Sequence, residues 1–509
     1  MPNLFNFRDL FIFDLANNHM GDIDHAERVI REVAAVAHAA GVRAALKFQF
    51  RQLESFIHPD FKDRMDLKYV KRFSETRLEM EQFRKLANIV RECGLLTMST
   101  PFDEESVDVI LDMDLDIIKI ASCSADDRPL IERVAHINKP LVVSTAGLNV
   151  DEIDWLVNYL VSERADFALM HCVAQYPTPD DKLELDQVRQ LKDRYRDVPI
   201  GWSTHEDPNN LGAVQVALAL GATLFERHVG LQTEKYAINA YSSSPKQLEL
   251  WMKSFKSAKA MIGAPERPPT SLEERTTLRD LKRGVFLNKP VKAGNAITND
   301  DVFFAIPFQE NQMASGQFRS GIVAPRDLDA NSALPHDLVH DRNDRDAIFQ
   351  IMLQVRGILN NARIYINTDA EIEISHHYGL QRFREFGAVL ITCVNRSYAK
   401  KLVVQLPRQK HPYHFHKQKE ETFQLLAGDV EIVKGGHPHK LLPGDTLLVQ
   451  PGEWHKFHTL EGCIFEEISS TAFPNDSFYE DPLLDQMPRD ARKTKVDHWA
   501  AFFNEHSFG

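Results

Sequence analysis

A chain of 509 residues is too long for one hydrophobic core and predicts two to four domains. Its 43% hydrophobic and 26% charged content is that of a globular protein. The formal charge of −13 argues against nucleic acid or an anionic membrane as partner, while leaving room for a small anionic substrate in a local basic pocket. No run approaches the roughly 18 apolar residues that span a bilayer. The opening MPNLFNFRDL lacks the pattern of a secretion signal. Five scattered cysteines (Cys93, Cys123, Cys172, Cys393, Cys463) form no CxxC pair, so reduced thiols and a cytoplasmic setting are expected.

From residue 11 to about 230, short β-branched or aromatic runs alternate with segments of helical period, the signature of βα units around a parallel sheet. Eight runs fit: FIFDL (from Phe11), AALKFQ (Ala44), LTMST (Leu95), IIKIAS (Ile117), LVVSTA (Leu141), FALMHCV (Phe167), PIGWST (Pro199) and LFERHV (Leu224). That number and length predict a (β/α)8 barrel over residues 1–265, with a doubly wound sheet as the alternative. GAPERPPTSLEE (from Gly263) then breaks the pattern and predicts a linker over 266–278. Residues 279–342, with RGVFLNKPVKAGNAITNDDVFFAIP, read as a small domain of short strands. From 347 to 480 the runs FQIMLQ, RIYI, EIEIS, AVLITCV, KLVVQL, ETFQLL, DVEIV, DTLLVQ and CIFEEIS predict an all-β barrel or sandwich. Residues 481–509 read as a polar tail ending in a short amphipathic helix, KVDHWAAFFNEH.

In a barrel of this kind the chemistry sits at the C-terminal strand ends. Here those ends are polar: Asp14 on the first run, Lys47 and Gln49 on the second, Thr100, then Lys119 and Ser122, Ser144, Ser203 and His205, and Glu226 with His228. Residues two apart on a strand share a face, so Lys47 joins Gln49, and Glu226 joins His228. Taken singly, a strand-end lysine pairs with a neighbouring carboxylate and a lone histidine hydrogen-bonds in the core. As a set, unpaired charges inside a barrel are costly, and two lysines with several hydroxyls suit a substrate bearing phosphate and carboxylate. His205 and His228, on adjacent strands, are placed to share one divalent ion.

The motifs NNHMGD, LKFQ, STPFD, KIAS, VSTAG, LMHCVAQYPTP, GWSTH and ERH, in this order, resemble the sialic acid (N-acetylneuraminate) synthase family, in which a barrel precedes an antifreeze-protein-like (SAF) domain. The resemblance covers the first ~340 residues and implies a metal-dependent condensation of phosphoenolpyruvate with an aldose to a 3-deoxy-ulosonic acid. It implies that Lys47, Thr100, Lys119, Ser122, Ser144 and Ser203 hold phosphoenolpyruvate. Likewise His205 and His228 would bind Mn2+ or Mg2+, and Asp14, Gln49 and Tyr176 would line the reacting centre. A homodimer in which the SAF domain of one subunit covers the other's barrel is implied by analogy. The chain departs from the family pattern at Asp14 (glutamate in the family), Ser124 (glutamate), Ala174 (asparagine) and Asn239 (aspartate), and the arginine of the SAF motif is missing from FAIPFQ. The departures fall on positions that touch the sugar or its protons, so the reaction class is better specified than the aldose.

In the last domain, HPYHFHKQKEETFQLLAG and PGDTLLVQPGEWH carry His414, His416, Glu421 and His455 at spacings that resemble the cupin superfamily, which implies that the strands of one barrel place all four on a single divalent transition metal. HHYGLQRFREFGA ahead of it resembles cupins of the lyxose isomerase kind, which implies an aldose–ketose isomerase or epimerase; a cupin that only binds sugar is the alternative. His411, His437, His439 and His458 read as surface groups or supports of the ligands. For the whole chain two other readings compete: a Schiff-base aldolase or lyase using Lys47 or Lys119, and a non-catalytic sugar-binding protein.

Overall fold

In the computed structural model, residues 4–264, 267–338, 344–367, 370–471 and 476–496 are described. The chain divides into two compact units, Met1–Pro268 and Pro269–Gly509.

The first unit is a closed barrel of eight parallel strands in sequential order: β1 (Leu10–Asp14), β2 (Arg43–Phe50), β3 (Leu96–Pro101), β4 (Ile117–Ile120), β5 (Leu141–Ser144), β6 (Phe167–His171), β7 (Ile200–Thr204) and β8 (Leu224–His228), with β8 pairing back onto β1. Helices separate the strands, as the alternation of periods predicts. The helix Ile23–Ala40 shows how: Asp22 caps its first amides, Gly41 ends it at a positive φ of 55°, and Ala26, Val29, Ile30, Val33, Ala34 and Ala37 recur at helical spacing on its buried face. Strand alternation divides the core in two. Phe11, Phe13, Leu46, Phe48 and Phe225 pack outward under the helices. Leu10, Ile12, Ala45, Met98, Ile117, Val142, Ala168 and Leu224 fill the lower lumen. The same alternation carried upward turns Asp14, Lys47, Lys119, Ser144 and Glu226 into the upper lumen, all of them buried.

In the second unit, Gly284–Leu287 pairs antiparallel with Val302–Ala305, and Ala296–Ile297 with Ile322–Val323, around a core of its own that includes Val285, Leu287, Ile297, Met313, Phe318, Ile322 and Leu334. Beyond it lie two antiparallel sheets. One has seven strands in the order Thr446–Val449, Glu421–Gly428, Cys463–Ser470, Tyr398–Gln405, Ala388–Asn395, Glu371–Ser375, Lys493–Val496. The other has five: His437–Leu441, Val430–Lys434, His455–His458, His414–His416, Ser477–Tyr479. They share a core of Val403, Phe423, Leu425 and Phe465 from the first with Val430, Ile432 and Phe457 from the second.

Two expected strands are absent. FQIMLQ lies inside the helix Asp344–Asn361, whose Ile351, Met352, Val355 and Leu359 are buried at helical spacing, and RIYI carries no strand. A short apolar run satisfies both periods, and tertiary packing chose the helical one. The stretch after Pro482 does more than trail as a tail: Lys493–Val496 pairs with Glu371–Ser375 and extends the larger sheet. From residue 497 onward, the expected terminal helix KVDHWAAFFNEH lies outside the described residues.

Candidate active site and metal centre

In the upper lumen of the barrel, register makes the first contacts: Asp14 on β1 stands directly between Lys47 on β2 and His228 on β8. Lys47 Nζ lies 2.9 Å from Asp14 Oδ2 and 2.8 Å from Glu226 Oε1, and donates to Thr100 Oγ1 at 3.4 Å. Lys119 Nζ lies 3.5 Å from Glu226 Oε2 and donates to Ser144 Oγ and, at 3.1 Å, to the Ile120 carbonyl. Gln49 Nε2 donates to Asp14 Oδ2 at 3.4 Å. Ser203 on β7 is the register partner of Glu226. Ser122, just past β4, contacts Cys172 Sγ at 3.1 Å and accepts from the Ala146 amide. Thus two lysines and two carboxylates form one buried network ringed by hydroxyls.

The network sets the charge states. Burial pushes the Asp14 and Glu226 carboxyls up, but the adjacent ammonium groups win and hold both below the ordinary carboxylate range. Lys47 is raised: burial opposes its charge, and its two carboxylates outweigh burial. Lys119 is lowered, because burial and the like charge of Lys47 exceed the pull of Glu226.

His205 and His228 face each other with ring centroids 5.4 Å apart. His205 Nδ1 is bonded to the Val173 carbonyl at 2.8 Å, leaving Nε2 free. His228 Nδ1 is buried without a hydrogen-bond partner, 3.4 Å from Asp14 Oδ2. Burial and His228 together lower His205 to about 3, and burial lowers His228, so both imidazoles are in the neutral form that binds metal. These donors fit a divalent ion, with solvent and substrate completing its shell. Tyr176 packs on His205 at 4.2 Å, and Tyr241 lies 5.3 Å from His228.

Each barrel residue picked from the sequence therefore lies at the C-terminal mouth. Reading the sequence missed the part of Glu226: it joins the two lysines, yet stood out only as a neighbour of His228. The signal was available, since two inward lysines on β2 and β4 of one barrel require inward carboxylates. Of the altered positions, Asn239 donates to Asn18 Oδ1 at 3.1 Å and Ser124 is buried.

In the cupin, His414, His416 and His455 each present a ligand atom within 4.8 Å of the others, and among the described residues no other group of three or more His, Cys, Asp or Glu does so. All three lie on the five-stranded sheet, where His414 and His455 are register partners. Each Nδ1 is engaged by a backbone carbonyl, of Pro412 (3.1 Å), Asp476 (2.8 Å) and Glu453 (3.1 Å) respectively, which orients each Nε2 inward. Glu421, on the larger sheet, reaches His455 Nε2 at 3.1 Å and His416 Nε2 at 3.4 Å and is also held by Lys419. The donors fit a transition metal. His411 supports the ligands: it stacks on Phe457 and lies 4.6 Å from the His414 ring. Beside the trio is a cavity of about 430 Å3, the size of a small-molecule site.

Comparison with known proteins agrees with this layout. Residues 33–267 match the NeuB family and residues 401–462 the cupin domain. An uncharacterised protein of Methanocaldococcus jannaschii is 30% identical over 57% of this chain and 82% of its own length. N,N'-diacetyllegionaminic acid synthase of Campylobacter jejuni is 26% identical over 63% and 93%. A solved structure from Chromobacterium violaceum, named for spore coat polysaccharide biosynthesis, is 44% identical over 64% of this chain and 98% of its own, with a TM-score of 0.62. With a barrel that carries the two-lysine network at its mouth, and with these relatives matched across most of their length, the chain belongs to the NeuB family.

Proposed function

We propose that the barrel condenses phosphoenolpyruvate with an aldose to give a 3-deoxy-ulosonic acid of the sialic-acid type, in a metal-dependent reaction. The observation that carries this reading is the pair of buried lysines, Lys47 and Lys119, meeting on Glu226 within hydrogen-bond reach of Thr100 and Ser144. An incoming phosphate and carboxylate would exchange for Glu226 as partners of these ammonium groups, with Ser122 and Ser203 as further donors. A divalent ion on His205 and His228 supplies, when bound, Lewis acidity toward the open-chain aldehyde. C3 of phosphoenolpyruvate attacks that aldehyde carbon, water adds at C2, and phosphate leaves. Asp14 Oδ2, held ionised between Lys47 and His228, is the carboxylate that can accept and return a proton at the mouth. Gln49 and Tyr176 line the sugar side.

The name of the Campylobacter relative supports a nonulosonic acid as product. A division into barrel (1–265), linker (266–278), SAF domain (279–342) and a cupin from 347 whose larger sheet takes in residues 493–496, a homodimer and a cytoplasmic setting complete the reading. No described helix is long and apolar enough to cross a membrane. For the cupin, the metal donors beside a sugar-sized cavity support isomerisation or binding of the sugar.

The test is phosphate release from phosphoenolpyruvate with Mn2+ across a panel of aldoses, with mass spectrometry of the product. Release that needs one aldose and the metal is expected, and His228→Ala should abolish it while metal analysis still finds the cupin ion. Unaltered turnover in that variant would refute the role of His228. The lowered ammonium of Lys119 favours one second reading, a Schiff-base lyase. Metal-independent turnover, with borohydride trapping of substrate on Lys119, would establish it instead.

A further inference from the structure

The cupin cavity holds more cation than its own carboxylates can neutralise. Arg492 lines the cavity with only 7% of its surface exposed, and its Nε and Nη1 have no hydrogen-bond partner among the described residues. A buried guanidinium without a partner is costly, and its five fixed donors match a carboxylate or phosphate. Two of the acids that line the cavity, Glu373 and Glu467, are engaged elsewhere. Glu373 is held by Arg489 at 2.7 Å and Lys493 at 2.6 Å, and Glu467 by Lys419 at 2.9 Å and Lys401 at 3.6 Å. The guanidinium carbon lies 4.6 Å from the Tyr479 ring, and that ring stacks on His414 at 5.6 Å. One tyrosine, whose ring the guanidinium overlies, therefore separates Arg492 from an imidazole of the trio.

We propose that the cupin cavity binds a sugar carrying an anionic group, carboxylate or phosphate, with Arg492 as its anchor across the Tyr479 ring from the histidine trio. A neutral aldose would leave the guanidinium unpaired, whereas a sugar acid or sugar phosphate satisfies it while its hydroxyl or carbonyl oxygens face the trio. The proposal rests on the reading of the cupin as a sugar site and narrows the class of sugar.

Calorimetric titration of the metal-loaded full chain with a hexuronate, a hexose 6-phosphate and a neutral hexose tests it, in the wild type, Arg492→Gln and Arg492→Lys. The barrel is intact in all three proteins, so the Arg492-dependent part of binding reports the cupin alone. Arg492→Gln is expected to weaken the hexuronate, the hexose phosphate or both by roughly ten- to hundredfold. Arg492→Lys should retain part of that affinity, and neutral hexose binding should not change. The ligand that loses affinity names the anion. Equal affinity of Arg492→Gln and wild type for both charged sugars, at unchanged melting temperature, would overturn the anchor while leaving a sugar site standing. No binding of any sugar would remove the sugar reading and the proposal with it.

Discussion

At the level of single residues, the barrel mouth is a balance between two ammonium groups and two carboxylates that water does not share. Glu226 answers to both lysines, so neutralising it leaves two buried cations with one partner. Removing one member of a buried ion network costs about 3–5 kcal/mol. Glu226→Gln is thus expected to lower the melting temperature in the absence of ligand, and added inorganic phosphate should restore more stability to the variant than to the wild type. Differential scanning fluorimetry with and without phosphate measures both quantities. An equal phosphate response in the two proteins would separate Glu226 from the anion site. Much of this site was legible beforehand, because polar residues at successive strand ends have few other uses. The linking role of Glu226 was not, since pairing across β2, β4 and β8 depends on barrel closure.

At the level of elements, the helix Asp344–Asn361 replaces a predicted strand, and substitution can tell the two periods apart. As a strand, the run would bury Ile351, Leu353 and Val355 together on one face; as a helix, it buries Met352 and leaves Leu353 38% exposed. Met352→Ala should therefore cost about 2–5 kcal/mol in urea unfolding, and Leu353→Ala within about 0.5 kcal/mol. The reverse order would reject the helix. The strands that carry the histidine trio show the converse. His414–His416 and His455–His458 are too short and too polar to show a strand period, yet their residue spacing marked the histidines that the fold brings together. The cluster was readable where the secondary structure was not.

At the level of the whole molecule, buried neutral histidines link stability to acid. His19 is lowered to about 4 by burial, His205 and His411 to about 3, and His377 and His414 well below the ordinary 6.5. In the unfolded chain these groups take up protons near 6.5, while in the folded protein they stay neutral. Between about pH 6.5 and 4 the unfolded state therefore binds more protons, and stability falls as pH falls through that window. Metal-stripped protein is expected to melt progressively lower from pH 7 to pH 5. A flat profile in that range would place these imidazoles in contact with water.

Composition and patterning alone determined the broad plan: alternating periods specified the (β/α)8 barrel, polar strand ends marked its mouth, and histidine spacing marked the cupin. These are local features, carried by neighbours in the chain and by the two- and 3.6-residue periods of strand and helix. Only the tertiary structure decided that FQIMLQ is helical, that residues 493–496 complete the larger sheet, that Glu226 joins two lysines, and that Arg492 lines a cavity with its Nε and Nη1 unbonded among the described residues. Each of these depends on which distant segments meet, and a buried charge or an ambiguous apolar run acquires its meaning from the groups folded against it.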